Sequence, residues 1–387
     1  MGRRRILAID YLRTAVILLV LVHHSVIAYA PYANFNAVHY LWGAPIVDSR
    51  RWLGFDLLTL FNDIFFMPLM FFLSGLFVWS SLQRKGWREF LRDRVVRLGL
   101  PFLFVVTFVM PLAYYPSFLL SGENAHFLAF WLQCFSIDNW PGGPAWFVWL
   151  LLTFDCVAAF LYKIFPTLFT ALGRMTLHAG ERPAKSFVLL LIISAAAYLP
   201  MLLVFGPSRW FTLGPFSVQA SRLLLYFVYF FAGIAAGTDG VGQGMLAPGG
   251  RLERQWMSWL LVATALYWLV VSFHVIPSHR WGRLSSLAGH TIYGLAFLAS
   301  CAATSISALA LFLRFMNKPV LGLDSLSPHT YGIYLIHYVF VIWLQYLLLE
   351  ANLPAVAKAA MVFTGTLALS WSTIATVRRV PAVARII

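Results

Sequence analysis

Charge is what this sequence has least of. Only 11% of its 387 residues are Asp, Glu, Lys or Arg, less than half the share of about 25% usual in soluble domains. That shortage excludes a water-soluble globule, because too little polar material is present to coat its surface. Apolar residues reach 61% and aromatics 17%, which excludes intrinsic disorder. Short alternating strands are also lacking. The apolar residues fall in long continuous runs, which excludes a transmembrane β-barrel. Cysteine is scarce: Cys134, Cys156 and Cys301 stand far apart with no CxxC spacing, so neither a disulfide framework nor a metal site is expected. A phosphate-cradling glycine loop is missing too. Gly240-Val241-Gly242-Gln243-Gly244 has no lysine and reads as a turn. No internal repeat or low-complexity tract occurs.

What remains is an all-α, polytopic membrane protein. Ten apolar segments are long enough to span, at about 6–30, 55–82, 98–120, 143–165, 186–206, 222–238, 256–276, 284–312, 328–350 and 354–377. Phe127 to Phe135 is apolar but too short to cross. A single transmembrane domain over 1–387, with no fused soluble domain, is the expected organisation.

The net charge of +14 would suggest nucleic acid in a soluble protein, but topology explains it better here. Basic residues cluster at the N-terminus (Arg3, Arg4, Arg5), after the second segment (Arg84 to Arg97), after the fourth, in two later loops and at the C-terminus. With a cytoplasmic N-terminus, twenty of the 28 basic residues fall on the cytoplasmic side and seven opposite: Arg50, Arg51, Arg209, Arg222, Arg280, Arg283 and Lys358. Both termini are therefore expected in the cytoplasm, and no nucleic-acid partner is expected.

Ionisable groups at membrane depth are costly and mark function by default. The first segment carries Asp10, Arg13, His23 and His24. Asp10 and Arg13 are one turn apart and can pair. Arg13 and His24 share a face, about 16 Å apart along the axis, whereas His23 points about 100° away. Asp63, about 10 Å from the outer end of the second segment, lies level with His24 and is expected to orient it. Arg94 and Arg97 are one turn apart at the cytoplasmic mouth and suit a phosphate clamp. Asp155 is read as structural. Trp140 and Trp146 flank the entrance of the fourth segment, either as an interfacial belt or as a stacking surface. Tyr331, Tyr334 and His337 lie on one face of the ninth.

Taken together these residues resemble the integral-membrane acyltransferase-3 family, and within it the glucan-modifying (glucan biosynthesis protein C-like) and sugar O-acyltransferase branch. The matching stretches are Asp10-x-x-Arg13 with His24 after ten residues, Met67-Pro68-Leu69-x-Phe71-Phe72-x-Ser74-Gly75, Arg94-x-x-Arg97, Trp146-Phe147, and Ser327-x-x-x-Tyr331-x-x-Tyr334-Leu335-x-His337. Two positions depart from the family pattern. Pro68 stands where many members have an acidic residue, and Pro144-Ala145 where many have His-Leu.

The resemblance implies about ten spans and transfer of an acyl group from cytoplasmic acyl-CoA to an extracytoplasmic acceptor. Acetyl-CoA or succinyl-CoA is the expected co-substrate, and a hydroxyl of a glycan or glycolipid the expected acceptor. The expected location is a bacterial inner membrane, multi-pass in the lipid bilayer, with homo-oligomerisation left open. In this reading Arg13, Arg94 and Arg97, with Asp10, hold the nucleotide end. His24, oriented by Asp63, is the general base. Tyr331, Tyr334 or Ser74 donates to the oxyanion. Trp140, Trp146 and His337 contact the acceptor. The competing reading is a proton-coupled secondary transporter or exporter, in which Asp10, Arg13, His24 and Asp63 form a relay. The absence of an inverted repeat weighs against it.

Overall fold

The computed structural model describes residues 7–123, 126–135, 140–180, 182–238, 240, 242–275 and 286–387. Arg3, Arg4, Arg5, Val241, Arg280 and Arg283, which entered the sequence reading, lie outside the described residues. Among the described residues ten helical stretches are long and apolar enough to cross a membrane. In chain order they are Leu7–Ile27, Gly54–Gly75, Val78–Leu120, Gly143–Ile164, Pro183–Phe205, Ala220–Gly237, Trp256–His274, Leu287–Phe315, Leu321–Leu347 and Ala355–Val377. They are called the first to tenth spans below. The first span is central and packs on the second, eighth, ninth and tenth. Asp10 of the first span and Ile387 wall the same cavity, so the start of the first span and the last residue lie at one end of the molecule.

Two segments expected as loops are helical. The second span stops at Gly75 rather than at 82, and the basic stretch after it is the helix Val78–Arg94. Its buried residues Val78, Trp79, Leu82 and Phe90 form an apolar stripe, and the charges take the other face. The chain breaks direction inside it at Gly86, where φ is +73°, a conformation glycine adopts without a steric penalty. The stretch after the fourth span is likewise a helix, Pro166–Gly180, opened by a proline that needs no N–H partner there. Phe127–Gln133 is a short helix, too short to span.

The described strands form one hairpin, which the sequence reading did not include. Strand β1 (Trp210–Leu213) pairs antiparallel with β2 (Phe216–Gln219), Trp210 opposite Gln219 and Leu213 opposite Phe216. Its signal is Gly214-Pro215 between two runs of β-formers. The hydropathy of the flanking spans obscures it.

Hydrocarbon supplies no hydrogen bonds, so each backbone carbonyl that a helix releases must be satisfied by protein. The third span releases several. Pro101, Pro111 and Pro116 have no N–H to give the carbonyls four residues back, which are those of Arg97, Thr107 and Leu112. Each is met by an aromatic donor from elsewhere. Tyr331 Oη donates to Arg97 O (2.7 Å), Trp131 Nε1 to Thr107 O (2.8 Å) and Trp343 Nε1 to Leu112 O (2.9 Å). The same span widens to π-helix at Val95–Gly99 and Val105–Val109. In the second π turn Trp140 Nε1 donates to Val106 O (3.1 Å). These bonds fasten the third span to the ninth and to the segments around Trp131 and Trp140.

The second and sixth spans meet backbone to backbone. A Cβ on Gly233 would fall 2.0 Å from Phe72 O, and one on Gly75 would fall 2.2 Å from Phe230 O. Ser74-Gly75 thus permits the close approach that its small residues suggest.

Two of the seven cations assigned to the outer side are not free topogenic charges. Arg222 is bound to Asp63, as described below. Lys358 lies inside the protein, with Nζ 2.6 Å from Asp48 Oδ2 and 3.2 Å from Leu349 O. Both side chains of this pair are only 1% exposed. Removing one partner strands a buried charge, at a cost of about 3–5 kcal/mol, whereas removing both is far milder. Lys358→Met should therefore markedly lower the unfolding midpoint in detergent micelles, and Asp48→Leu/Lys358→Met should recover most of the loss. An equal loss in both variants would contradict the pairing.

Candidate active site

Two cavities lie along the first span. The first has a volume of about 730 Å³ and the second of about 660 Å³. Ile17 walls the first and Val20 the second, one turn further along the helix. The second span contributes Met70 to one and Met67 to the other, and the fourth contributes Phe147 and Trp146. Tyr334 walls both.

The first cavity is basic. Arg13, Arg84, Lys85, Arg94, Arg97, Arg378 and Arg385 face three carboxylates, Asp10, Asp93 and Asp155. Lys85 is paired with Asp93. Arg13 Nη2 lies 3.7 Å from Asp10 Oδ1, the pairing that their spacing suggests. Arg94 Nε lies 3.1 Å from Asp155 Oδ2, and this carboxylate is 1% exposed. This ion pair links Arg94 to the fourth span. Arg97, Arg13, Arg378 and the others leave the cavity with an excess of guanidinium, the group best shaped for bidentate phosphate contacts.

The second cavity is aromatic. Its walls include Trp42, Phe66, Tyr114, Trp140, Trp146, Trp210, Tyr226, Tyr334 and Tyr338, together with His23, His24 and Asp63. Trp146 stacks on Tyr226 with centroids 5.4 Å apart and meets Trp210 of β1 edge-on at 6.1 Å. Residues of the hairpin, Thr212, Ser217 and Gln219 among them, form one side of this cavity.

His24 is held from behind. Its carbonyl and that of Ser25, near the end of the first span, accept from the buried Gln345 amide at 2.8 and 3.3 Å, which satisfies two last-turn acceptors. Its ring packs edge-on against Tyr338 at 5.0 Å and lies tilted beside His337 at 5.4 Å. Tyr114 and Tyr338 pack against each other on the same wall, with ring centroids 5.7 Å apart. Neither tyrosine was singled out from sequence, although Tyr338 directly follows His337.

Several expected roles change. Asp63 does not orient His24. It is bound by Arg222, with Nη1 2.7 Å from Oδ1 and Nη2 2.5 Å from Oδ2. Depth alone suggested His24, but a buried guanidinium in reach is a far stronger partner for a carboxylate than a neutral imidazole. His23 also faces the second cavity, next to His24. Tyr331, Tyr334 and Ser74 give their hydroxyl hydrogens to the carbonyls of Arg97, Pro144 and Met70, which leaves them without a hydrogen for an oxyanion. His337 walls neither cavity. It is 0% exposed, with Nδ1 2.6 Å from Tyr334 O, so it supports His24 rather than reaching an acceptor. Among the described residues no three His, Cys, Asp or Glu side chains converge to hold a metal.

Fold and site together define a polytopic membrane protein with a phosphate-suited cavity at one end and a histidine-bearing aromatic cavity at the other. The chain matches the family model Acyl_transf_3, described as an acyltransferase domain, over residues 6–375. It belongs to that family, and membership assigns it to membrane acyl transfer. No curated protein and no solved structure matches it significantly.

Arg94→Ala would leave the Asp155 carboxylate buried and unpaired, at about 3–5 kcal/mol. Calorimetry of unfolding in detergent should show that loss, and Asp155→Asn added to Arg94→Ala should restore most of it. Additive losses would contradict the pairing.

Proposed function

We propose that the protein transfers an acetyl or succinyl group from acyl-CoA in the basic cavity to a hydroxyl of a glycan or glycolipid in the aromatic cavity, with His24 as general base. One observation carries this reading. The first span places Arg13 in one cavity and His24 in the other, about 16 Å apart by helix rise, and Tyr334 walls both. An extended pantetheine arm is of that length. Arg97, Arg13 and Arg94 are the candidates for the nucleotide phosphates, with Asp10 holding Arg13 in place.

In the proposed reaction, neutral His24 accepts the proton of the acceptor hydroxyl as its oxygen attacks the thioester carbonyl. The C–S bond then breaks, and the leaving sulfur takes that proton to give free CoA. Tyr338, whose ring lies against His24, and its neighbour Tyr114 replace Tyr331 and Tyr334 as the candidate oxyanion donors. No serine or cysteine side chain is hydrogen-bonded to His24 among the described residues, which supports direct attack over a covalent intermediate. Trp146 and Trp140 offer the acceptor apolar faces. The positive-inside distribution supports a cytoplasmic position for the basic cavity in the proposed bacterial inner membrane.

The reading is tested in nanodiscs. His24→Ala should lower transfer by about 10²-fold or more while CoA affinity, measured by calorimetry, stays within error of wild type. Arg97→Ala should weaken CoA binding about tenfold, the loss of one charge-assisted contact. Full transfer activity of the His24 variant would overturn the mechanism. Net substrate movement without an acylated product would favour a transporter.

A further inference from the structure

The Asp63–Arg222 pair is built asymmetrically. The Arg222 side chain is 9% exposed, whereas that of Asp63 is 42% exposed. Arg222 binds both carboxylate oxygens and also the Asp63 carbonyl, at 3.0 Å. Its guanidinium lies over the Phe297 ring at 5.0 Å. Such a clamp orients the carboxylate. An ionised carboxylate has about four acceptor positions, and the guanidinium occupies two of them. Among the described residues Arg222 is the only group that hydrogen-bonds to the Asp63 side chain. The other two positions lie on the exposed side of a group that walls the aromatic cavity.

The surroundings narrow what can fill them. An acceptor-only group selects ligands with hydrogens to give, which excludes ether oxygens and ionised phosphoryl groups at that point. Trp146, backed by Tyr226 and flanked by Trp210, offers a broad apolar face in the same cavity. A planar apolar face beside a hydroxyl-accepting carboxylate matches a pyranose, which carries C–H bonds on one face and hydroxyls on its rim. His23 lines the same cavity as Asp63, with its ring 5.4 Å from that of His24. The carboxylate and the proposed base thus wall a single cavity.

We propose that the Asp63–Arg222 pair is the acceptor-recognition site. Asp63 takes hydrogen bonds from two adjacent hydroxyls of a neutral hexopyranose stacked on Trp146, which presents a further hydroxyl to His24. The proposal rests on the acyl-transfer reading above and refines its acceptor. Arg222 acts through Asp63 as a positioning residue.

The test is a cycle between one side chain and individual hydroxyls. Wild type and Asp63→Asn, in nanodiscs with saturating acetyl-CoA, are assayed with methyl β-D-glucopyranoside and its 2-, 3-, 4- and 6-deoxy analogues. In the wild type, two adjacent deoxy positions should each lower kcat/KM about tenfold, the loss expected for a hydrogen bond to a charged group. In Asp63→Asn the same two analogues should differ from the parent sugar by less than about threefold. CoA binding by calorimetry reports that the variant is folded and tests the donor site separately. Asp63→Glu, which keeps the charge and moves it by one methylene, should change which positions are sensitive. An unchanged deoxy profile in both variants overturns the proposal, as does a wild type indifferent to every position or unable to use the glucoside. None of these results touches the donor reading, which fails only if CoA does not bind.

Discussion

A polar group placed in hydrocarbon must find its partner within the protein, and that requirement organises this molecule. It acts first on the backbone. The third span carries three prolines that each release a carbonyl, and Tyr331, Trp131 and Trp343 each supply the missing hydrogen. The prolines therefore do more than bend a helix. They create docking points that fix the third span against the ninth and bring Arg97 and Tyr331 to the same wall.

The same requirement governs charge. Lys358 is buried because Asp48 meets it, and Asp155 because Arg94 does. Other cations, Arg97 and Arg378 among them, line one cavity. At the other end, Arg222 leaves half of the Asp63 carboxylate facing open space. Pairing and exposure together separate structural charges from those free to meet a ligand. A half-satisfied carboxylate lining an aromatic cavity belongs with the second group.

The ten spans were legible in the sequence because hydropathy over about 20 residues is a strong, local signal. The stacking of Arg13 and His24 was legible too, since both lie on one helix and its rise is fixed. Partnerships across helices were not. Asp63 and His24 match in depth, yet depth says nothing of azimuth, and Arg222, 159 residues away in sequence, takes the carboxylate. Counting Arg222 and Lys358 as topogenic charge followed from the same blindness to tertiary contact. The hairpin that walls the aromatic cavity was hidden between two apolar spans. The proline rule could have been applied in advance: each proline names the carbonyl it frees, though not the donor that fills it.

The account depends on two substrates reaching one histidine from opposite ends of the protein. Proteoliposomes of known orientation test this directly. Acyl-CoA is supplied only on the side of the basic cavity, and a glycan acceptor only on the side of the aromatic cavity. Acylated glycan should form in this arrangement and should be absent when the two substrates are exchanged. Product formed only when both substrates share the basic side would contradict the account.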